Sequence, residues 1–311
     1  MARPGVTSPV SSSGFLRVDK PIGPTSHDVV RIARRALSER RVGHAGTLDP
    51  FASGLLLLGV GPATRLTEYL GDLDKSYEAV ARLGTVTSTL DPEGEVVATS
   101  EDWRDVTEAR LLDALESLTG SVDQLPPSYS AKKVDGERAY RKARRGETVE
   151  LTPARITIHE LELLSWSPPD VSFRVRCSTG TYVRAIARDL GEALGVGGHL
   201  TRLRRTGIGA FDVRDAIAVE DMERGAPLAG AWLTPLDAMA HLPRVEVDEA
   251  ITTRLIHGQS PDIEEVSGSE GLDEGRPAVV VSRDELVCVG RREGDRLRPS
   301  KVFSSGLRGG E

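Results

Sequence analysis

The stretch that most constrains the fold runs from Arg41 to Leu58 and reads RVGHAGTLDPFASGLLLL. Its glycines permit backbone conformations and close approaches that other residues resist, and Pro50 biases Asp49 toward an extended conformation. The four leucines at 55–58 are apolar without alternation, which is typical of a short strand buried on both faces. The sequence therefore predicts a tight loop that holds one carboxylate at the edge of a buried strand.

Asp49 is the candidate functional group of this loop. Loops that a rigid scaffold holds in place carry a large share of catalytic residues. An aspartate before a proline is also common in ordinary turns. The residues alone leave both roles open.

The composition indicates a globular protein. With 311 residues, the chain can form one large domain and a smaller one. No apolar run approaches the roughly 20 residues of a membrane-spanning helix, and the N-terminus lacks the apolar core of a secretory signal. The two cysteines, Cys177 and Cys288, match no metal-ligand spacing. We therefore expect a reduced, cytoplasmic protein with no membrane segment, no zinc site and no other metal.

The charge distribution is uneven. The net charge is −7, yet residues 131–155 carry eight Lys or Arg against four acids, and residues 174–205 carry seven Arg against two acids. Two basic segments on an acidic body favour a localised site for a polyanion. Any single basic run can equally be a solvated surface.

Hydrophobic periodicity predicts a mixture of helices and strands. Ser26 is the predicted N-cap of the first long helix, and residues 171–177 alternate strictly, as in a half-buried strand. The segment 137–145 is predicted to be a short basic helix, and Pro227–Met239 a helical connector. Residues 1–13 and 304–311 are predicted to be flexible tails.

Five segments in the same order resemble the motifs of the TruB-type tRNA pseudouridine synthases. They read GFLRVDKPIGPTSHDVV, GHAGTLDPFASGLL, DKSYEAVARLGTVTSTLD, PPSYSAKKVDGERAYRKARRGE and CSTGTYVRAIARDLG, and GGHLTRLRR follows them. The resemblance covers residues 14–215 with few gaps. Five collinear motifs are far more specific than any one of them.

The resemblance implies an α+β protein with the pseudouridine synthase fold. We expect a mixed, largely antiparallel central sheet with flanking helices in a catalytic domain at 14–243. A thumb-like RNA-binding insertion is expected at 124–155. RLIHGQSP resembles part of a PUA-like module, so a small β-rich RNA-binding domain is expected at 244–303, with an acidic loop at 261–275.

The resemblance also implies roles for particular residues. Asp49 is the expected catalytic carboxylate, Arg184 its ion-pair partner, and Tyr77 the aromatic that stacks on the flipped base. The other residues expected to bind the substrate nucleotide are His44, Tyr182, Leu203 and Lys20. The residues expected to hold the RNA backbone are Lys132, Lys133, Arg138, Arg141 and Arg202.

The reaction implied by the family breaks the uracil C–N glycosidic bond and rejoins the base to ribose through C5. No electron or external group is transferred, so no cofactor is expected. Asp49 could attack ribose C1′, attack base C6 or abstract a ribose proton, and the sequence does not choose among these routes.

The expected partner is the T arm of tRNA, whose uridine at position 55 the family modifies, and a monomer is expected. Three alternatives stay open. They are a guide-RNA-dependent synthase, a non-catalytic protein that binds or folds tRNA, and a hydrolase of glycosidic bonds, although the hydrolase requires a carboxylate pair.

Overall fold

The structure is a computed structural model that describes residues 13–129, 133–134, 137–138, 145, 147 and 151–308. Residues 1–12 of the predicted N-terminal tail lie outside the described residues, as do Lys132 and Arg141. Ser13 is buried, and its hydroxyl donates a hydrogen bond to the carbonyl of Val60 at 3.3 Å.

Two sheets account for most of the strands. The strands of the central sheet are β1 (Gly14–Lys20), β2 (Val42–His44), β3 (Ser53–Val60), β4 (Lys75–Leu83), β7 (Gly120–Gln124), β10 (Ala154–Ser167), β11 (Asp170–Cys177), β12 (Gly198–Ile208), β13 (Phe211–Asp212), β14 (Ile217–Ala218) and β15 (Trp232–Leu233). Two small hairpins are β5 (Thr85–Thr87) with β6 (Val96–Thr99), and β8 (Lys133–Val134) with β9 (Glu137–Arg138). The C-terminal sheet contains β16 (Arg244–Glu246), β17 (Pro277–Ser282), β18 (Glu285–Glu293) and β19 (Arg296–Arg308).

The helices are mostly short. The α-helices of the described residues are α1 (Ser26–Ala36), α2 (Thr67–Gly71), α3 (Glu108–Ser117), α4 (Val183–Leu194), α5 (Val219–Glu223), α6 (Pro235–Ala238) and α7 (Glu249–Ile256). Short 3₁₀ turns lie at Gly61–Leu66, Asp102–Asp105, Val213–Asp215, Ala229–Ala231, Ile263–Glu265 and Ser269–Gly271. None of the helices in the described part of the chain is long and apolar enough to cross a membrane.

The central sheet has the strand order β14-β1-β3-β12-β4-β11-β10-β7. Strand β1 pairs with β14, and β3 with β12, in parallel, whereas the other pairs along this order are antiparallel. The predicted mixed, largely antiparallel sheet is therefore confirmed. Its order brings β3, which follows the Asp49 loop, beside β12, which lies some 150 residues later in the chain.

The two faces of the sheet differ in character. On β4, Tyr77 lies opposite Arg205 of β12 and Val175 of β11, and these side chains are buried. The next residue, Glu78, lies opposite Arg204 and Arg174 and points to the other side. We call the side of Tyr77 the inner face and the side of Glu78 the outer face.

Helix α4 covers part of the inner face. Apolar residues at helical spacing, among them Ile186 and Leu190, are buried against the strands. A Cβ on Gly191 would lie 2.2 Å from the backbone carbon of Gly197, so only glycine lets the helix approach β12 this closely. The helix ends at Gly195 in the left-handed conformation, a common helix terminus.

The start of α1 differs from the prediction. Thr25, not Ser26, is the N-cap, and its hydroxyl accepts from the backbone N–H of Asp28 while the Asp28 carboxylate accepts from Thr25. Ser26 is buried instead, and its hydroxyl donates to the carbonyl of Leu48 at 3.1 Å and accepts from the Leu48 N–H at 2.8 Å. The predicted cap residue thus joins the helix to the Asp49 loop.

The C-terminal sheet packs directly against the part of the chain that carries the central sheet. Phe303 lies in one buried cluster with Phe15 and Leu55 of the central sheet. The Arg65 guanidinium lies 5.1 Å from the centre of the Phe303 ring and donates to the carbonyl of Val302 at 2.6 Å. The two sheets are therefore joined by a shared apolar core.

Three predicted segments are wrong in form. Strand β19 continues to Arg308, so the predicted tail is strand over residues 304–308. Glu137 and Arg138 lie in a strand rather than a helix, because they pair with β8. The predicted connector at 227–239 contains only a 3₁₀ turn, a two-residue strand and the short α6.

Candidate active site

Lys20 holds the Asp49 loop from one side. Its side chain is fully buried at the end of β1, and its ammonium donates to the carbonyls of Pro21 at 2.9 Å, Pro24 at 2.8 Å and Pro50 at 3.4 Å. The Pro50 carbonyl also accepts from the backbone N–H of Gly23 at 2.8 Å. Because of these bonds, the turn after β1 and the residue after Asp49 are held as one unit.

Burial lowers the pKa of Lys20 to about 8, with the nearby Asp49 carboxylate acting in the opposite direction. The ammonium group therefore loses its proton more readily than a solvent-exposed lysine does.

Arg205 supports the same loop from beneath. This inner-face side chain is 1% exposed, and its guanidinium donates to the carbonyls of Leu55 at 2.7 Å, Thr47 at 3.3 Å and Gly46 at 3.3 Å. A Cβ on Gly54 would lie 2.2 Å from the Arg205 carbonyl oxygen, so the two backbones are in direct contact. The sequence analysis assigned Arg205 no role, since its partners are backbone atoms far away in the chain.

Arg184 joins Asp49 to a second carboxylate. Its Nε lies 3.0 Å from Asp49 Oδ2, and one terminal nitrogen lies 3.2 Å from Asp91 Oδ2. The terminal nitrogens also donate to the carbonyls of Thr89 at 2.8 Å and Tyr129 at 2.9 Å. The structure thus places Arg184 against Asp49, as predicted, and every nitrogen of its guanidinium has a partner.

Burial and charge act on Asp49 in opposite directions. Burial raises the pKa of the carboxyl above its ordinary value, Arg184 lowers it, and the Asp91 charge raises it. The side chain nevertheless stays 37% exposed, compared with 6% for Arg184. The Asp49 side chain is therefore partly accessible to solvent, while the Arg184 side chain is enclosed.

Asp91 is a site residue that the sequence analysis missed. Its side chain is only 5% exposed, and its Oδ1 accepts from the hydroxyl of Thr89 and, at 3.0 Å, from the backbone N–H of Glu93. The available signal was its position at the end of TSTLD, inside one of the family motifs.

Tyr77 lies on the inner face beside the loop. Burial raises the pKa of its phenol, with Arg205 acting in the opposite direction, so the hydroxyl stays protonated at neutral pH. Leu203 is buried in the same apolar cluster as Tyr77 and Leu48. The Tyr77 ring therefore forms part of an apolar surface next to the charged groups of Asp49 and Arg205.

His44 and Tyr182 are the remaining residues that we predict to bind the substrate nucleotide. Burial, followed by the charge of Arg205, lowers the pKa of His44, so the imidazole is neutral at pH 7. Its Nδ1 is buried and has no hydrogen-bond partner among the described residues. The backbone of Tyr182, the N-cap of α4, is bracketed by the Gln124 side chain, which donates to its carbonyl at 3.2 Å and accepts from its N–H at 2.9 Å.

Three of the residues predicted to hold the RNA backbone, Lys133, Arg138 and Arg202, lie within the described part of the chain. The backbones of Lys133 and Arg138 lie opposite each other in the β8–β9 hairpin. Arg202 is exposed and lies opposite Val80 of β4, on the outer face, with no ion pair to any described residue. Within the described ranges, no group of three or more His, Cys, Asp or Glu side chains could hold a metal ion.

Two family models match consecutive parts of the chain. The TruB family pseudouridylate synthase N-terminal domain matches residues 34–183, and the tRNA pseudouridylate synthase B C-terminal domain matches residues 184–240. Together they span the Asp49 loop, Tyr77, Asp91 and Arg184.

Curated proteins named tRNA pseudouridine synthase B are similar over almost the full length. One from Burkholderia mallei (strain NCTC 10247) is 43% identical over 298 residues, which cover 94% of this chain and 97% of that protein. One from Azoarcus sp. (strain BH72) is 43% identical over 295 residues, covering 94% and 95%.

Solved structures share the fold. A Cbf5-Nop10-Gar1 complex matches with a TM-score of 0.76 and 26% identity, covering 96% of this chain and 88% of that one. An H/ACA RNP bound to a substrate RNA containing 2′-deoxyuridine matches with a TM-score of 0.72 and 26% identity, covering 93% and 84%.

Proposed function

The chain belongs to the TruB family of tRNA pseudouridine synthases, and from this premise we propose that it converts the T-loop uridine at tRNA position 55 to pseudouridine with Asp49 as the catalytic carboxylate. The observation that carries the residue assignment is the ion pair of 3.0 Å between Arg184 and a partly exposed Asp49. An isomerase of this family acts on tRNA, so the proposal concerns which uridine is modified and which side chains act.

Arg184 prepares Asp49 for the reaction. Enclosure of a carboxyl group disfavours its charged form, and a neighbouring guanidinium restores it. The same pair fixes the carboxylate's direction through a charge-assisted hydrogen bond. Asp49 then acts as an anion, either on the sugar or on the base, while the uracil detaches from C1′, turns and rejoins through C5. The C5 hydrogen leaves to solvent as a proton and N1 gains a proton, so the product is an isomer of the substrate and no cofactor is required.

The target uridine has to leave the folded RNA to reach Asp49. Unstacking costs a few kcal/mol, and stacking on an aromatic ring contributes about 1–3 kcal/mol in return. Tyr77 supplies that ring, while Leu203 and Tyr182 line the uracil pocket. Neutral His44, whose Nδ1 has no hydrogen-bond partner among the described residues, is proposed to contact the RNA near the vacated base position.

The T arm is the part of tRNA that we propose the protein holds. Residues 124–155 serve as the thumb, with Lys132, Lys133, Arg138 and Arg141 on phosphates, and the C-terminal sheet serves as a PUA-like RNA-contacting module. Phosphate contacts position an RNA without reading its sequence, so binding weakens steeply with salt. The enzyme works as a monomer in the cytoplasm.

A guide-RNA-dependent synthase is the second candidate, because the similar solved structures are H/ACA ribonucleoprotein components. Higher identity to proteins named tRNA pseudouridine synthase B favours the stand-alone enzyme. Activity of the pure protein on a bare tRNA transcript distinguishes the two.

The test is tritium release from a tRNA transcript labelled at uridine C5. Wild type should release one equivalent, and a transcript with cytidine at position 55 should release none. Asp49→Asn should bind the transcript normally but lose roughly 10⁴-fold in rate, the scale for removing one member of a catalytic unit. Release by both proteins would move the chemistry away from Asp49. Tight binding without release by wild type would indicate a binding protein or a missing guide RNA.

A further inference from the structure

The turn that carries Asp91 is built around the side chain of Thr89. The carbonyl of Thr89 accepts from Arg184 at 2.8 Å, and its hydroxyl donates to Asp91 Oδ1. The remaining carboxylate oxygen, Oδ2, faces Arg184 at 3.2 Å. Thr89 therefore contacts both partners of the buried ion pair.

The backbone of this turn is held in an uncommon conformation. Leu90, between Thr89 and Asp91, has φ +62°, a region that non-glycine residues rarely adopt. The carbonyl of Leu90 accepts from the N–H of Leu200 on β12 at 3.1 Å, and the Thr87 hydroxyl donates to the Asp91 carbonyl at 2.7 Å. Such a conformation persists where surrounding contacts determine it, and it often marks a functional site.

The backbone of Gly94 packs closely against Thr89. A Cβ on Gly94 would lie 2.4 Å from the Thr89 Oγ1 and 2.6 Å from its backbone nitrogen. Any side chain at position 94 would therefore displace Thr89. The turn accepts only glycine there, which keeps the hydroxyl directed at the Asp91 carboxylate.

We propose that Thr89 is a positioning residue, whose hydroxyl orients Asp91 so that Arg184 presents its Nε to Asp49. Without this hydroxyl, Asp91 Oδ1 retains only the Glu93 N–H as a partner among the described residues. The Asp91 carboxylate can then rotate, and Arg184 loses the ion pair that holds its guanidinium in position for Asp49. The inference depends on the proposed function, because it assigns Thr89 a task in the Asp49 chemistry.

The test compares Thr89→Val, which keeps the shape, with Thr89→Ser, which keeps the hydroxyl. Thr89→Val should lower kcat for tritium release about tenfold, the scale of losing one hydrogen bond to a charged group. The KM for tRNA should not change, since the Thr89 hydroxyl is directed at the Asp91 carboxylate. Thr89→Ser should restore most of kcat.

Thr201→Val is the matched control. The Thr201 hydroxyl donates to a backbone carbonyl, that of Val80, at 3.2 Å, and makes no hydrogen bond to Asp91 or Arg184 among the described residues. This control should keep the wild-type kcat even if its melting temperature falls as much as that of Thr89→Val. Equal losses of kcat in the two variants would overturn the proposal.

A double-variant measurement keeps the proposal testable if Thr89→Val is poorly folded. Because Thr89 acts through Asp91, adding Gly94→Ala to Asp91→Asn should cost no further kcat, whereas Gly94→Ala alone should lower it. Fully additive losses would overturn the proposal. If wild type itself releases no tritium from any tRNA, the proposed function fails instead, which separates the two failures.

Discussion

Strands β4, β11 and β12 carry two different kinds of charged surface on their two faces. On the outer face, oppositely charged side chains alternate across the sheet. Arg204 pairs with Asp19 at 2.7 Å, and Arg174 pairs with Glu78 at 3.5 Å and with Glu162 at 2.7 Å. These side chains are 30–48% exposed. On the inner face, Arg205 is almost completely enclosed, and its guanidinium donates to the carbonyls of Leu55, Thr47 and Gly46.

The two faces differ in whether water can replace a charged partner that is removed. An exposed ion pair contributes at most about 1 kcal/mol, because water and salt replace either partner. A buried cation has no such substitute, so its removal leaves partners unsatisfied at about 1–3 kcal/mol each. We therefore expect adjacent arginines on one strand, Arg204 and Arg205, to differ sharply in importance.

The largest effect is expected from Arg184→Lys. Lysine keeps the charge but cannot donate from one planar fork to Asp49, Asp91 and two carbonyls at once. Disrupting a buried ion pair costs about 3–5 kcal/mol, so kcat for tritium release should fall about 10²- to 10³-fold. Arg174→Lys on the outer face is the control and should keep wild-type activity. A fully active Arg184→Lys would refute the role of the buried network.

Arg205→Met should mainly reduce stability. The substitution leaves the carbonyls of Leu55, Thr47 and Gly46 without their donor, and we expect a loss of about 3 kcal/mol in the free energy of unfolding. Arg204→Met is the control, with an expected loss of about 1 kcal/mol or less. Urea denaturation monitored by circular dichroism measures both. Equal losses would show that burial does not distinguish the two faces.

The pH dependence of kcat should report on Lys20. The folded protein lowers the pKa of this lysine from 10.5 to about 8, so its positive charge is lost as pH rises through about 8. The loop carbonyls then lose a charged donor and Asp49 loses a nearby cation, so kcat should fall to about half its maximum near pH 8. A pH profile of single-turnover rates shows this alkaline limb.

The matching variant is Lys20→Met, which should be slower at all pH values and lack that limb. Lys301→Met removes a partly exposed lysine that pairs with Glu68 at 2.8 Å, remote from Asp49, and should keep the wild-type profile. An alkaline limb that survives in Lys20→Met would assign it to another group.

The smallest effect is expected on the outer face. A double-mutant cycle of Arg174→Met and Glu162→Gln should give a coupling of less than about 1 kcal/mol in unfolding free energy. Tritium release should stay at the wild-type rate. A coupling as large as that of a buried pair would contradict the comparison between the faces.

The parts of the site that could be predicted from sequence are those with local signals. The Gly-rich loop before a leucine run and the order of the motifs pointed to Asp49 and Arg184. The sequence did not predict the roles of Asp91 and Arg205. Their partners are 93 and about 150 residues away in the chain, and hydrophobic periodicity gives no information on such contacts. A buried arginine that donates to distant backbone carbonyls looks, in sequence, like any residue of a basic strand.

The fold class was predictable for a similar reason, whereas several element boundaries were not. Val171–Cys177 alternates because one face is buried, and the strand was found. Ser26 looked like a helix cap, but tertiary hydrogen bonds to Leu48 claimed its hydroxyl and left capping to Thr25. Glu137 and Arg138 have helix-compatible composition, yet pairing with β8 decides their conformation.

The pairing of β1 has a consequence for how the chain is made. Besides β3, this first strand pairs with β14 and β15, so its neighbours include Ile217 and Leu233. The Asp49 loop likewise lacks its hydrogen bonds from Arg205 until β12 has been synthesised. A chain emerging from the ribosome N-terminus first cannot close this sheet until the residues up to Leu233 have been synthesised. Asp49 therefore leaves the ribosome long before Arg184, Arg205 and the strands that complete its surroundings.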